Sequence, residues 1–157
     1  MRKISFSLNE SSIDNAIAQL EGIEKRLDGE CKQLALNLAK YGYYIARVGF
    51  TNAVYEGKND VKVSVEELPG AYLIKAEGEA VCFIEFGTGV GATSPHGGEY
   101  GFTPGSWSET HAKQFSEHGY WFYGGKYLKG TPSNNCMYNA EKEVRQEIKT
   151  FAKGVFG

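Results

Sequence analysis

Eleven residues in the middle of the chain, Val81 to Gly91, constrain its architecture more than any others. Val81-Cys82-Phe83-Ile84 is a short apolar run that reads as a buried strand, and it ends in Glu85-Phe86-Gly87-Thr88-Gly89-Val90-Gly91. The three alternating glycines give the backbone the freedom to leave a sheet sharply. From Val90 to about His118 neither a helical nor a two-residue period continues. A stretch of that length is uncommon inside a compact domain unless it is functional or disordered. It carries Tyr100, Phe102, Trp107 and Phe115 among Gly, Ser, Thr and Pro. The composition predicts a flexible arm over about 90–118 whose aromatics bury on a surface, either that of their own domain or a partner's.

The 157 residues suffice for one domain with a hydrophobic core, taken as 1–157, and are too few for two comfortable ones. Lys and Arg number 17 against 19 Asp and Glu, a formal net charge of -2, so no basic field supports nucleic-acid binding. No run of about 18 apolar residues could span a bilayer, and Met1-Arg2-Lys3-Ile4-Ser5-Phe6 lacks the apolar core of a secretion signal, which predicts a soluble protein made in a cytoplasm. Cys31, Cys82 and Cys136 are three in number and far apart in the chain. They read as small buried hydrophobes in a reducing compartment.

Periodicity divides the chain as follows. Ile4, Phe6 and Leu8 alternate with polar residues over Lys3 to Leu8, predicting a half-buried strand. Ser11 or Ser12 offers an N-cap for a first helix carrying Ile13, Ala16, Ile17, Leu20, Ile23 and Leu27, closed near Asp28-Gly29. A second helix runs from about Glu30 to Asn52 or Tyr55, with one stripe of Cys31, Leu34, Leu38, Tyr41, Ile45 and Val48 and another of Leu36, Tyr43 and Phe50. Two apolar sides need two partners: the sheet of its own domain, and either the first helix or a neighbouring subunit. Val61, Val63 and Val65 then mark a strand with one wet face, Pro69-Gly70 a turn, and Ala71–Ala76 and Ala80–Phe86 two more strands paired across Glu77-Gly78-Glu79. Tyr120-Trp121-Phe122-Tyr123 is a short aromatic strand before Gly124-Gly125. Thr131-Pro132-Ser133 supplies the cap and first-turn proline of a last helix with Met137, Ala140, Val144, Ile148, Phe151 and Val155 as its stripe. The predicted fold is α+β: a small, mainly antiparallel sheet packed with two N-terminal helices and one C-terminal helix, plus the long glycine- and aromatic-rich loop.

Chemistry is sparse in this pattern. Gly87-Thr88-Gly89-Val90-Gly91 follows a strand as a phosphate loop would, but Ala92 to Gly98 cannot open the helix that must hold the phosphate. His96, His111 and His118 with Glu99, Glu109 and Glu117 have no metal-ligand spacing, so no metal or cofactor is expected. Ser106 and Ser108 lie near His111 without a nucleophile elbow, and Glu85 with Glu109 or Glu117 would make an acid–base pair only at a separation that nothing in the sequence sets. Enzymatic function is not expected. The alternative is a small cytoplasmic hydrolase with 90–118 as an active-site lid, and a third reading is a cytoplasmic binding module with a preformed groove.

The order Phe83-Ile84-Glu85-Phe86-Gly87-Thr88-Gly89, a glycine- and proline-rich insertion, an aromatic strand, Gly130-Thr131-Pro132 and a final helix with Met137 and Ala140 resembles the head-to-tail joining (neck, tail-completion) family of long-tailed bacteriophages and prophages, the gene-product-ten-like proteins. The chain departs from that pattern in having Asn135-Cys136-Met137-Tyr138 where such proteins often place Pro-Phe, and in the length of its insertion. The resemblance implies a non-enzymatic virion component, assembled in the host cytoplasm as a homo-oligomeric ring of six between the connector and the tail tube or tail terminator, with no membrane or sequence-specific nucleic-acid partner. Leu36, Tyr43, Phe50, Tyr100, Phe102, Trp107 and Phe115 are the candidate contact residues to other subunits or partners.

Overall fold

The computed structural model describes residues 4–5, 7–87, 120–123 and 126–157. Its first element is a single helix, α1, over Glu10–Thr51. Its 42 residues span about 63 Å at the usual rise of about 1.5 Å per residue. Asn9 caps it, its side-chain oxygen accepting from the Ser12 amide at 2.9 Å, so the cap precedes the two serines expected to supply it. The break expected at Asp28-Gly29 is absent. A glycine ends a helix only where the backbone turns left-handed. Here strong helix formers stand on both sides, and Arg26 pairs with Glu30 at 3.5 Å across the glycine. Of the expected first strand, Lys3 and Phe6 lie outside the described residues, and among the described ones Ile4, Ser5 and Ser7 form no ladder and Leu8 is 93% exposed.

β1 (Lys62–Leu68) and β2 (Ala71–Glu77) form the expected antiparallel hairpin, in register from Lys62 opposite Glu77 to Leu68 opposite Ala71. Pro69 and Gly70 turn it, Gly70 with φ of 76°, the Pro-Gly order of a type II turn. The third strand expected at Ala80–Phe86 is instead a short helix, α2, over Val81–Phe86. Short apolar runs carry no decisive period, and here Asp60 selects the helical form. Its carboxylate accepts from the amides of Glu79 at 2.9 Å and Ala80 at 3.0 Å, the donors at the entrance of the turn. Those bonds, Ala80 first and Glu79 second, hold the Asp60 pKa below its ordinary 3.8.

Tyr120–Tyr123 is a strand as expected, β3, and it pairs with an unforeseen partner, β4 (Lys126–Lys129), with Tyr120 opposite Lys129. The last helix, α3, covers Cys136–Phe156 and starts later than Thr131-Pro132-Ser133 would place it.

The architecture is thus α+β, with α1 as its spine. α3 lies antiparallel along the C-terminal half of α1: a Cβ on Gly49 would meet Cys136 at 3.1 Å, one on Gly42 would meet Val144 at 2.8 Å, and the Tyr41 and Phe151 rings sit 5.4 Å apart. The hairpin takes the adjoining flank, with Ile74 2.7 Å from the same Gly42 Cβ position. The centre of the buried face is therefore not the large-residue stripe. It is a run of small residues, with Ala39, Gly42 and Ala46 buried, which lets two elements approach one helix closely. Leu38, Tyr41 and Ile45 border that run. At the end of α1, Phe50, Ala80, Ile84 and Cys136 close the core, and Val61, Val63, Ala76 and Met137 pack around them.

Candidate functional site

The Glu85 motif that dominates the sequence lies at the junction of α2, α3 and the segment between them. Glu85 is 6% exposed. Its two carboxylate oxygens accept from the backbone amides of Met137 at 2.9 Å and Tyr138 at 3.1 Å. Those amides belong to the first turn of α3, whose N-cap residue Asn135 makes no side-chain capping bond, so a carboxylate remote in sequence caps the helix and meets its positive dipole end. Residues 130–135 are laid across the end of α2 to bring this about. Asn134 and Asn135 donate from their amides to the carbonyls of Ile84 at 3.0 Å and Glu85 at 3.1 Å, and the Ser133 hydroxyl donates to Phe86 O at 2.7 Å. Asn134 also reaches α1's exit, accepting from Val54 N at 3.0 Å. Gly87, with φ of 76°, lies under this segment so closely that a Cβ would stand 2.6 Å from Thr131 O. The motif is a structural clasp. Glu109 and Glu117, the acid–base partners considered for Glu85, lie outside the described residues.

The cysteines divide by position. Cys136 is 2% exposed, and burial, reinforced by the charge of Glu85, pushes its thiol up to about 12. Cys82, partly buried, is raised for the same two reasons. Cys31 is exposed on α1, contrary to the expectation of three buried thiols.

Among the candidate contact residues, Phe50 is 2% exposed and belongs to the chain's own core, so it has no surface for a partner. Leu36 and Tyr43 are partly buried, and Tyr43 lines an open cleft of about 520 Å³ with Arg47, Thr51 and Lys62. That cleft has no carboxylate, histidine or cysteine in its lining. Tyr100, Phe102, Trp107 and Phe115 lie outside the described residues, as do Ser106, Ser108 and all three histidines with their neighbouring glutamates. Among the described residues no group of three or more His, Cys, Asp or Glu is placed to hold a metal ion, and no helix is long and apolar enough to cross a membrane.

The surface without an obvious place inside the chain is the N-terminal half of α1. α3 runs back along α1 from Gly49 past Tyr41 and has only five residues left beyond Phe151, which carry it about 7.5 Å further at the helical rise. Ile13, Ile17, Leu20 and Leu27 lie beyond that reach and are 39%, 49%, 56% and 44% exposed. Their periodicity was legible as an amphipathic stripe; that none of the described elements would cover it was not. Compared with protein-family models, curated proteins and solved structures, the chain matches none.

Proposed function

We propose that this chain is a structural virion protein of a tailed phage or prophage, forming a ring in the neck that joins the head connector to the tail tube. The observation that carries the reading is the row of four large aliphatic side chains left open on the first half of α1, in a capped helix. Apolar surface of that kind, contiguous and on a regular element, is the property of a subunit whose core is completed by assembly. The resemblance around Glu85-Phe86-Gly87-Thr88-Gly89 supplies the identity of that assembly, and the clasp at Glu85 is consistent with a motif kept for folding rather than catalysis.

The test is genetic and visual. Particles produced without this chain should accumulate as filled heads beside separate tails, and the purified protein added back should join them. Intact infectious particles formed in its absence would exclude the neck role, and electron microscopy of the two lysates distinguishes the outcomes.

A further inference from the structure

Among the described residues two faces stand open, and they differ in charge. On α1, Ile13, Ile17, Leu20, Glu24, Leu27 and Cys31 follow one another by alternate steps of four and three residues, the spacing of a helix–helix seam. Along one edge of that seam Asp14, Glu21 and Asp28 recur every seven residues, so all three point the same way. Lys25 and Arg26 are the only cations between Glu10 and Glu30, and Arg26 is already engaged with Glu30. Two such faces paired antiparallel would bring acidic edges together, a like-charge contact that disfavours that symmetric pairing.

The second face is on α3, opposite its buried stripe. Lys142, Arg145, Lys149 and Lys153 step by three, four and four residues and are all exposed. Phe156 falls in the same sector and Ile148 at its margin, each 43% exposed. Glu141 is engaged with Arg145 at 2.7 Å, and Glu143 and Glu147 lie on the far flank. The two faces match in length: Glu10 to Glu30 rises about 30 Å and α3 about 32 Å.

We propose that the N-terminal half of α1 of one copy docks on the outer face of α3 of a second copy, with Asp14, Glu21 and Asp28 against Lys142, Lys149 and Lys153 and the α1 stripe covering Ile148 and Phe156. The contact deepens the ring reading above, on which it rests for the number of copies. It is heterologous, because the donor and acceptor faces are different surfaces of one chain. Each subunit therefore gives one contact and receives one, and the series ends when the rotation closes a ring.

Sedimentation of the full chain, with two variants, tests it. Leu20→Gln/Leu27→Gln disables the α1 face with a residue of similar helix propensity, and Lys149→Glu/Lys153→Glu disables the α3 face; both alter exposed positions, and thermal melts verify that each still folds. Wild type should self-associate in a salt-sensitive manner, and each variant alone should associate about tenfold more weakly or less. Mixed in equal amounts, the two variants should form a one-to-one pair that grows no further, since one intact contact remains between them. Adding Glu21→Lys/Asp28→Lys to the α3 variant should restore association by inverting both charges. An α3 variant that associates like wild type, singly defective variants that fail to pair, or a wild type still monomeric at about 1 mM would each overturn the contact. None of these results bears on the particle phenotype, so the neck reading and this contact fail separately.

Discussion

Glu85 ties α2 to the first turn of α3, with Met137 52 residues further along the chain. Its carboxylate is buried, and each oxygen accepts from one amide in the first turn of α3. Removing a buried acceptor costs the desolvation of the donors it leaves behind, of order 1–3 kcal/mol. Glu85→Ala should therefore lower stability to denaturant by about 2–3 kcal/mol, while Glu85→Gln, which keeps one oxygen in place, should lose roughly half as much. Equal stability of Glu85→Ala and wild type in urea titrations would show that the clasp is incidental. The residue was conspicuous in the sequence, but as a motif to be explained by chemistry. Its partners, the amides of Met137 and Tyr138, have no side-chain signature, so nothing in the letters pointed from Glu85 to them.

At the scale of elements, the glycines of α1 have opposite roles on its two halves. A Cβ on Gly42 would meet Ile74 Cδ1 at 2.7 Å and Val144 Cγ2 at 2.8 Å, where hairpin and α3 converge. Gly42→Ala should cost about 1–3 kcal/mol as overpacking. A Cβ on Gly22 or Gly29 would meet nothing within 4 Å. There the same change removes only backbone entropy of the unfolded chain, and Gly29→Ala should stabilise by about 0.5–1 kcal/mol with a gain in helical circular dichroism. A loss of stability in Gly29→Ala would mean that the helix bends or breaks at the place where the sequence appeared to divide it. The hairpin was legible because valine alternation and Pro-Gly are local signals. α2 was misread as a strand because its helical form depends on Asp60, about twenty residues earlier.

The whole molecule is asymmetric in support. Among the described residues, the C-terminal half of α1 is held by α3 and the hairpin, and the first half by its own backbone bonds, the Asn9 cap and the Arg26–Glu30 pair, with Ala16 its one buried side chain. Helices of about twenty residues with two glycines are marginal in water without packing. Local opening should therefore begin before Cys31. Limited trypsin digestion of the dilute protein should cut at Lys25 and Arg26 well before Lys40, Arg47 or Arg145, and concentration sufficient for self-association should slow the early cuts. Cleavage at Arg47 as fast as at Arg26 would show that the two halves are equally stable.

By itself the sequence determined the fold class, the β1–β2 hairpin with its turn, the amphipathic character of α1 and α3, and the single aromatic strand at Tyr120–Tyr123, because each is written in the spacing of apolar residues or in local turn chemistry. Tertiary structure decided what spacing does not encode. It joined two expected helices into one, since Gly29 is compatible with a right-handed turn and the flanking residues favour continuation. It made the small residues Ala39, Gly42 and Ala46 the centre of the buried face, since close approach of two elements at once rewards the absence of a side chain. It drew Phe50 into the core and left Ile13, Ile17, Leu20 and Leu27 in water. The physical reason is length: periodicity marks which side of a helix is apolar, while the extent of the partner packed against it, here the 21 residues of α3 beside the 42 of α1, decides how much of that side is covered.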